Sequence, residues 1–252
     1  MLQTLCWLLP PSSFKNRLLC RFGHSISASA RVGPVLVRSV ARFEIGDGVR
    51  VSPFNVFSGL RLVHLDTYAA IEKWNWISAH PAFQEVDPQA GTFYLGYSAK
   101  LGSRNYVDAS GTVVLRDYAA VGGHRVFIQT HEPDFKLYLQ RVGRVTIGHH
   151  SLVGSCAVML KDAFLPDQSL LAANSTMTSA SARDRKRGLY AGSPAVWKRE
   201  TEGRYFDRPE RFMTEFVVDG PMGVLQEDLN AGKPQIPSAG GRSHTDADPS
   251  LH

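Results

Sequence analysis

Nine histidines are spread through this chain, and few have neighbours that suggest chemistry. His131 is the exception: in Thr130-His131-Glu132-Pro133-Asp134 an imidazole stands with two acids within three residues. Imidazole changes charge near neutral pH, which suits it to proton transfer, and Glu132 or Asp134 beside it would fix its tautomer. Two rivals are His80, in Ala79-His80-Pro81, and His124. His149 and His150 sit in a regular stretch and read as surface or packing residues, while His24, His64, His244 and His252 have no supporting context. The cysteines Cys6, Cys20 and Cys156 are odd in number and form no CxxC pair, so neither a disulfide framework nor a cysteine-rich zinc site is indicated. Cys156 reads as a small packing residue, since no activating neighbour is visible.

The elements that must position these residues follow a period of six. Ile147, Val153, Met159, Leu165, Leu171 and Met177 are each six apart, and the residues between them are mostly small or polar. Neither the strand period of two nor the helix period of 3.6 gives that pattern. The same step links Ile26 to Val32, then Ile45, Val51 and Phe57, then Leu65, Ile71 and Ile77, then Leu95, Leu101 and Val107, then Leu115, Val121 and Phe127. Glycine follows many of these positions, as at Gly46, Gly96, Gly102, Gly122, Gly148 and Gly154, and a small residue recurs four after, as at Ala69, Ala99, Ala119, Ser151, Ala157, Ala163, Ser169 and Ser175. A corner every six residues, with one inward side chain per face, describes a three-sided coil whose faces stack as parallel strands. Each coil then buries its apolar row only against its neighbours. Glycine suits tight backbone at such corners.

Two stretches break the period and read as loops leaving a corner: residues 78–94, with Pro81, Pro88 and Gly91, and residues 128–146, with Pro133. Long loops on a rigid scaffold are a usual place for function. Residues 1–25 read as an N-terminal helical cap, with Phe14, Leu18 and Phe22 on one helix face and Lys15, Arg17 and Arg21 around them. Two uses stay open for that helix, closing the end of the coil or lying on an anionic membrane surface. Residues 26–199 form the repeat domain, residues 200–228 a C-terminal helix centred on 204–217, and residues 229–252, rich in Gly, Pro, Ser and Asp, a tail expected to be disordered.

Composition narrows the function. The chain of 252 residues is 43% apolar, enough for a core. Its 28 basic and 23 acidic residues give a mild surplus that tolerates anionic ligands. The basic residues are scattered rather than striped with aromatics, which argues against nucleic acid. No apolar run approaches the roughly 20 residues that cross a bilayer. Met1–Pro10 is apolar but short and lacks a basic start or clear cleavage site, so a reducing, cytoplasmic setting is expected.

The motifs Ile147-Gly148-His149-His150-Ser151, Val153-Gly154-Ser155-Cys156-Ala157 and Leu171-Ala172-Ala173-Asn174-Ser175 resemble those of the hexapeptide-repeat acyltransferases. Tyr190-Ala191-Gly192-Ser193-Pro194-Ala195 resembles the segment that closes the coil in their sugar and xenobiotic acetyltransferase branch. The resemblance covers roughly residues 26–199. It implies an all-β, left-handed parallel β-helix, a homotrimer with sites between subunits, and transfer of an acetyl group from acetyl-CoA to a hydroxyl of a sugar or polysaccharide precursor. The hand comes from the resemblance, since the period does not set it.

Within that resemblance His131 is the general base, with Glu132 orienting it. Asn105 and Asp108, one coil earlier, together with His80 and His124, would hold the acceptor. Gly154, Ser155, Ala172, Asn174, Pro194 and Lys198 would line the acetyl-CoA cleft. No metal and no nucleic acid are expected. A second reading resembles the gamma-class carbonic anhydrases, with His80, His124 and His131 on zinc, although the spacing of His124 and His131 departs from that family. A third is a noncatalytic scaffold on the same coil.

Overall fold

The computed structural model of the protein describes residues 2–211 together with 213, 215 and 217. A compact unit runs to Arg211. Among the described residues the strands are mostly two to four residues long and lie in three sheets that are parallel except for the last strand, Ala195–Arg199, which runs antiparallel to Leu189–Gly192; a separate antiparallel hairpin stands beside them. The chain visits the three sheets in turn, which makes the architecture the three-sided parallel β-helix that the hexad period called for, and it fits the left-handed form that the resemblance implies. No helix among the described residues is long and apolar enough to cross a membrane.

The inward positions are those the period marks. Ile147, Val153, Met159, Leu165, Leu171 and Met177 are fully buried, as are their counterparts on earlier coils. Full burial of such a side chain contributes roughly 1.5–3 kcal/mol. One position differs. Ile128, not Phe127, is inward, and it pairs with Val107 below and Met159 above. The corner Gly122–Val126 holds one residue more than its neighbours, which moves the following strand on by one.

The corners owe their shape to residues that are mostly not glycine. The third residue after many inward positions takes a left-handed backbone, as at His150 (φ 56°), Cys156 (φ 57°), Asp162 (φ 63°) and Asn174 (φ 61°). The small residue one place on is buried. In the longer corner the positive φ falls on Arg125, one step late. Gly148 has a different reason to be glycine: a Cβ there would collide with the Asp167 carboxylate on the next coil. Cys156, taken from sequence as a packing residue, is exposed because it occupies the left-handed position, and Ala157 fills the buried one.

On one edge asparagine replaces the small buried residue. Asn55, Asn75 and Asn105 stack, the Nδ2 of each upper residue donating to the Oδ1 below it at 3.0 Å. Asn55 Oδ1 also accepts from the Asn75 amide and Asn75 Oδ1 from the Asn105 amide. Asn105 Oδ1 takes the Val126 amide at 2.9 Å, where the longer corner begins.

The helix Ser13–Arg21 starts at Ser12, whose hydroxyl accepts from the Lys15 amide. Its buried face is Lys15, Asn16 and Leu19 rather than Phe14, Leu18 and Phe22. Phe14 is 64% exposed, Phe22 lies outside as well, and Leu18 is half-buried. Lys15 inverts the expected pattern because its ammonium, removed from water, donates to the carbonyls of Trp7 (2.8 Å), Leu9 (2.8 Å), Val32 (3.0 Å) and Gly33 (2.9 Å). It thereby ties the short helix Leu2–Trp7 to the first coil.

At the other end, residues expected to begin a helix show only a 3-10 turn, Arg204–Phe206. Their carbonyls are taken by the coil edge instead. Gln168 Nε2 donates to the Phe206 carbonyl (3.1 Å), Tyr118 Oη to that of Pro209 (3.0 Å) and Lys100 Nζ to that of Arg211 (2.8 Å). Apart from 213, 215 and 217, the rest of that expected helix, and the expected tail 229–252, lie outside the described residues.

Replacing Lys15 by Met leaves those four carbonyls without their donor, at a cost of about 3 kcal/mol. Because solenoid coils report mainly on their neighbours, amide hydrogen exchange is expected to quicken across residues 2–38 and to stay unchanged beyond Leu95. Uniform acceleration along the whole chain would contradict this account of Lys15.

Candidate active site

Three adjacent strands, Trp76–Ser78, Tyr106–Asp108 and Phe127–Gln129, pair in register so that Ser78, Asp108 and Gln129 align at their ends. The chain leaves the coil just past two of these ends. After Ser78 it forms a loop with the short helix Ala82–Val86 and re-enters at Thr92–Leu95. After Gln129 it forms a hairpin, His131–Asp134 against Leu139–Val142, and re-enters at Arg144–Ile147. Both excursions are shorter than the broken period suggested, because strands extend into 92–94 and 144–146.

Asp108 is the centre of this corner. Its Oδ1 accepts the Ser110 amide (3.1 Å) and hydroxyl (2.5 Å). Its Oδ2 accepts the Thr130 amide (2.9 Å) and lies 2.8 Å from His131 Nδ1. Thr130 Oγ1 lies 3.0 Å from both that Oδ2 and the Asp108 carbonyl, and accepts the Gly111 amide at 2.8 Å. Burial on its own would raise the Asp108 carboxyl, but the hydrogen bonds from Ser110, His131 and Thr130 outweigh it and hold the group below the usual carboxylate range. A carboxylate only accepts hydrogen bonds, so His131 carries its proton on Nδ1 and keeps a lone pair on Nε2. The His131 side chain is 37% exposed against 14% for Asp108.

The surrounding groups fix the imidazole further. Gln129 Nε2 donates to the His131 carbonyl at 2.7 Å. The Phe83 ring, carried by the short helix, lies 5.9 Å from the His131 ring and 6.0 Å from that of His80. The His80 amide donates to Ser110 Oγ at 3.0 Å, which links this loop to Asp108 through one hydroxyl. His80 Nδ1 accepts from the Ala82 amide, so the proton of its neutral ring is on Nε2.

Several residues proposed from sequence are elsewhere. Glu132 does not orient the imidazole; its carboxylate reaches Lys161 at 3.2 Å, because alternate residues of a strand point to opposite sides. Asp134 is held by Arg141 and by the amides of Lys136 and Leu137. Asn105 is 2% exposed and its side chain is committed to the asparagine stack, away from His131. His124 lies on the long corner at the opposite end of the strand Phe127–Gln129 from His131, its carbonyl accepting the Cys156 amide. Within one chain the three histidines of the zinc reading do not converge, and among the described residues no three His, Cys, Asp or Glu side chains of the chain gather to hold a metal.

Of the residues proposed for the cosubstrate, Gly154, Ser155, Ala172, Asn174 and Pro194 follow that same long-corner edge, while Lys198 lies toward the other end of the last antiparallel pair. The Asn174 amide donates to the Ser155 carbonyl at 3.0 Å, and the Gly154 amide to that of Leu171 at 2.9 Å. Ser193, beside Pro194, donates its hydroxyl to Thr176 Oγ1 at 2.9 Å, and Lys198 is exposed on the final strand Ala195–Arg199. What sequence reasoning missed was the orienting role of Asp108 and the parts of Ser110, Thr130 and Phe83. Counting the extra residue at Gly122–Val126 would have set Asp108 directly under Gln129, one residue from Thr130.

No family model matches the chain, and no curated protein matches it. Solved structures do. A point mutant of AntD, an N-acyltransferase from Bacillus cereus, in complex with dTDP and coenzyme A, is 13% identical, with 76% of this chain and 91% of that chain covered and a TM-score of 0.45. A hexapeptide-repeat-containing acetyltransferase from Vibrio cholerae is 14% identical, covering 44% and 64%, with a TM-score of 0.37. A hexapeptide transferase family protein from Anaplasma phagocytophilum is 16% identical, covering 73% and 82%, with a TM-score of 0.32.

The lowered Asp108 titration has a defined sign. The stability it contributes is fully present above the unfolded aspartate value, about 3.9, and is lost as pH falls through the lower folded value. Chemical denaturation of wild type and Asp108→Asn is expected to show a stability difference that shrinks as pH falls from about 5 to below roughly pH 4. A difference that grows in acid would contradict the assignment.

Proposed function

We propose that the chain is an acyl-CoA-dependent O-acetyltransferase acting on a hydroxyl of a sugar or polysaccharide precursor, with His131 as general base. The observation that carries this reading is the His131–Asp108 pair: a partly exposed imidazole whose Nδ1 is tied to a largely buried carboxylate, which leaves Nε2 for a substrate. The resemblance of the repeat motifs supports the class of reaction.

In this reading Nε2 takes the hydroxyl proton as the acceptor oxygen attacks the thioester carbonyl. Asp108 stabilises the imidazolium that forms, and the same nitrogen returns the proton to the departing thiolate. The products are an ester and free CoA, with no acyl-enzyme. His80 Nε2–H, on the loop that also carries Phe83, is a donor for the acceptor's other hydroxyls. In one chain the cosubstrate edge and His131 lie at opposite ends of a strand. That separation favours a site shared between copies, the base from one and the thioester slot from another, as the homotrimer of the resembling family would provide. Free thiols at all three cysteines suit the reducing cytoplasm in which acetyl-CoA is made.

Release of CoA in the presence of candidate glycans tests this. His131→Ala is expected to lower kcat by roughly 10²–10⁴-fold, with a smaller change in KM for acetyl-CoA. Asp108→Asn is expected to fall in the same direction, since an amide no longer enforces the Nδ1 tautomer. Undiminished turnover in His131→Ala sinks the assignment.

A further inference from the structure

The outer face of another sheet carries a cleft that the acyl-transfer site does not use. It opens above Phe164 with a volume of about 290 Å³. Arginines from three separate stretches line it. Arg116 follows the strand Thr112–Leu115, Arg144 opens the strand Arg144–Ile147, and Arg185 lies between the strands Thr176–Met177 and Leu189–Gly192. Thr146 and Phe164 are register partners on the floor. The guanidinium carbons of Arg185 and Arg116 lie 4.8 Å and 5.6 Å from the Phe164 ring centroid, so two cations share one ring. Arg144 Nε donates to Thr146 Oγ1 at 3.1 Å, which fixes the third.

The local charges do not balance. Guanidinium groups stay protonated at any pH the fold will meet. Arg116 is paired with Asp167 at 3.2 Å. Asp162 also borders the cleft; its carboxylate shares Lys161 (2.6 Å) with Glu132 and accepts the Arg144 amide at 3.2 Å, without an ion pair to either guanidinium of Arg144 or Arg185. Among the described residues, no carboxylate is in ion-pair contact with Arg144 or Arg185. Like charges drawn together from three segments are unfavourable unless an anion joins them. The planar fork of arginine matches phosphate oxygens two at a time. The volume is at the small end for ligand sites, which suits a compact anionic group rather than a whole cosubstrate.

We propose that this cleft is a binding site for a phosphate or diphosphate group, held by Arg144 and Arg185 with Arg116 and the Thr146 hydroxyl. The group has two possible sources, a free or nucleotide-borne diphosphate and the diphosphate of coenzyme A. The site stands on its own charge geometry and does not rest on the reading of His131.

Calorimetric titration of the full chain with pyrophosphate at low salt tests it, followed by titration with coenzyme A at saturating pyrophosphate. One pyrophosphate is expected to bind per chain. Arg144→Gln and Arg185→Gln should each weaken it by roughly tenfold or more, and the double variant should abolish it, while His131→Ala binds as wild type does. Displacement by coenzyme A supports the site and identifies its ligand as the cosubstrate's diphosphate; undisturbed pyrophosphate supports the site and assigns it to a separate ligand. Failure of the wild type to bind pyrophosphate overturns the proposal. So does unchanged affinity in a double variant whose thermal unfolding matches the wild type's.

Discussion

A carboxylate withdrawn from water must collect donors or give up its charge, and at Asp108 that requirement organises a whole corner of the molecule. Its two oxygens receive the Ser110 amide and hydroxyl, the Thr130 amide and the His131 ring. The donors come from two pieces of chain, Ser110 just beyond Asp108 and the pair Thr130-His131 on the following coil. Ser110 also receives the His80 amide and so ties down the first loop. Thr130 sets the point where the hairpin departs, and its hydroxyl takes the Gly111 amide. The orientation of His131 is the last consequence of a network whose first purpose is to keep one buried charge satisfied.

The coil is what allows these pieces to meet. Parallel strands in register align Ser78, Asp108 and Gln129, so residues 30 and 21 apart in sequence become neighbours. A single extra residue at Gly122–Val126 sets which residue of the next strand lands above Asp108. The Asn105 side chain absorbs that irregularity by capping the Val126 amide. Scaffold and site are therefore coupled. The asparagine stack gives the long corner its geometry, and that geometry fixes the register on which the His131–Asp108 distance depends.

The period of six carried the fold into view because inward aliphatics, corner glycines and small buried residues all obey it independently. His131 was legible for the same reason, as a titratable residue at the point where the period fails. The partner of His131 was harder to read. Glu132 and Asp134 are close in sequence, but a hairpin strand sends alternate side chains to opposite sides, and Lys161 and Arg141 claim them. Asp108 is 23 residues away, and only the strand register, with its one-residue slip, brings it near. Phe14 and Lys15 show a related limit. Sequence alone gives the lysine to solvent and the phenylalanine to the core. Unpaired carbonyls at the end of a coil reverse that, because an ammonium satisfies them and an aromatic ring cannot.

The central claim is that Asp108 fixes the tautomer of His131 and leaves Nε2 available as a base. Nitrogen-15 correlation spectra of the imidazole, recorded on wild type and Asp108→Asn at neutral pH, measure it directly. The account requires the neutral wild-type ring to carry its proton on Nδ1, and that preference to be lost in the variant. A wild-type ring protonated on Nε2, or a tautomer unaffected by the change at Asp108, would contradict it.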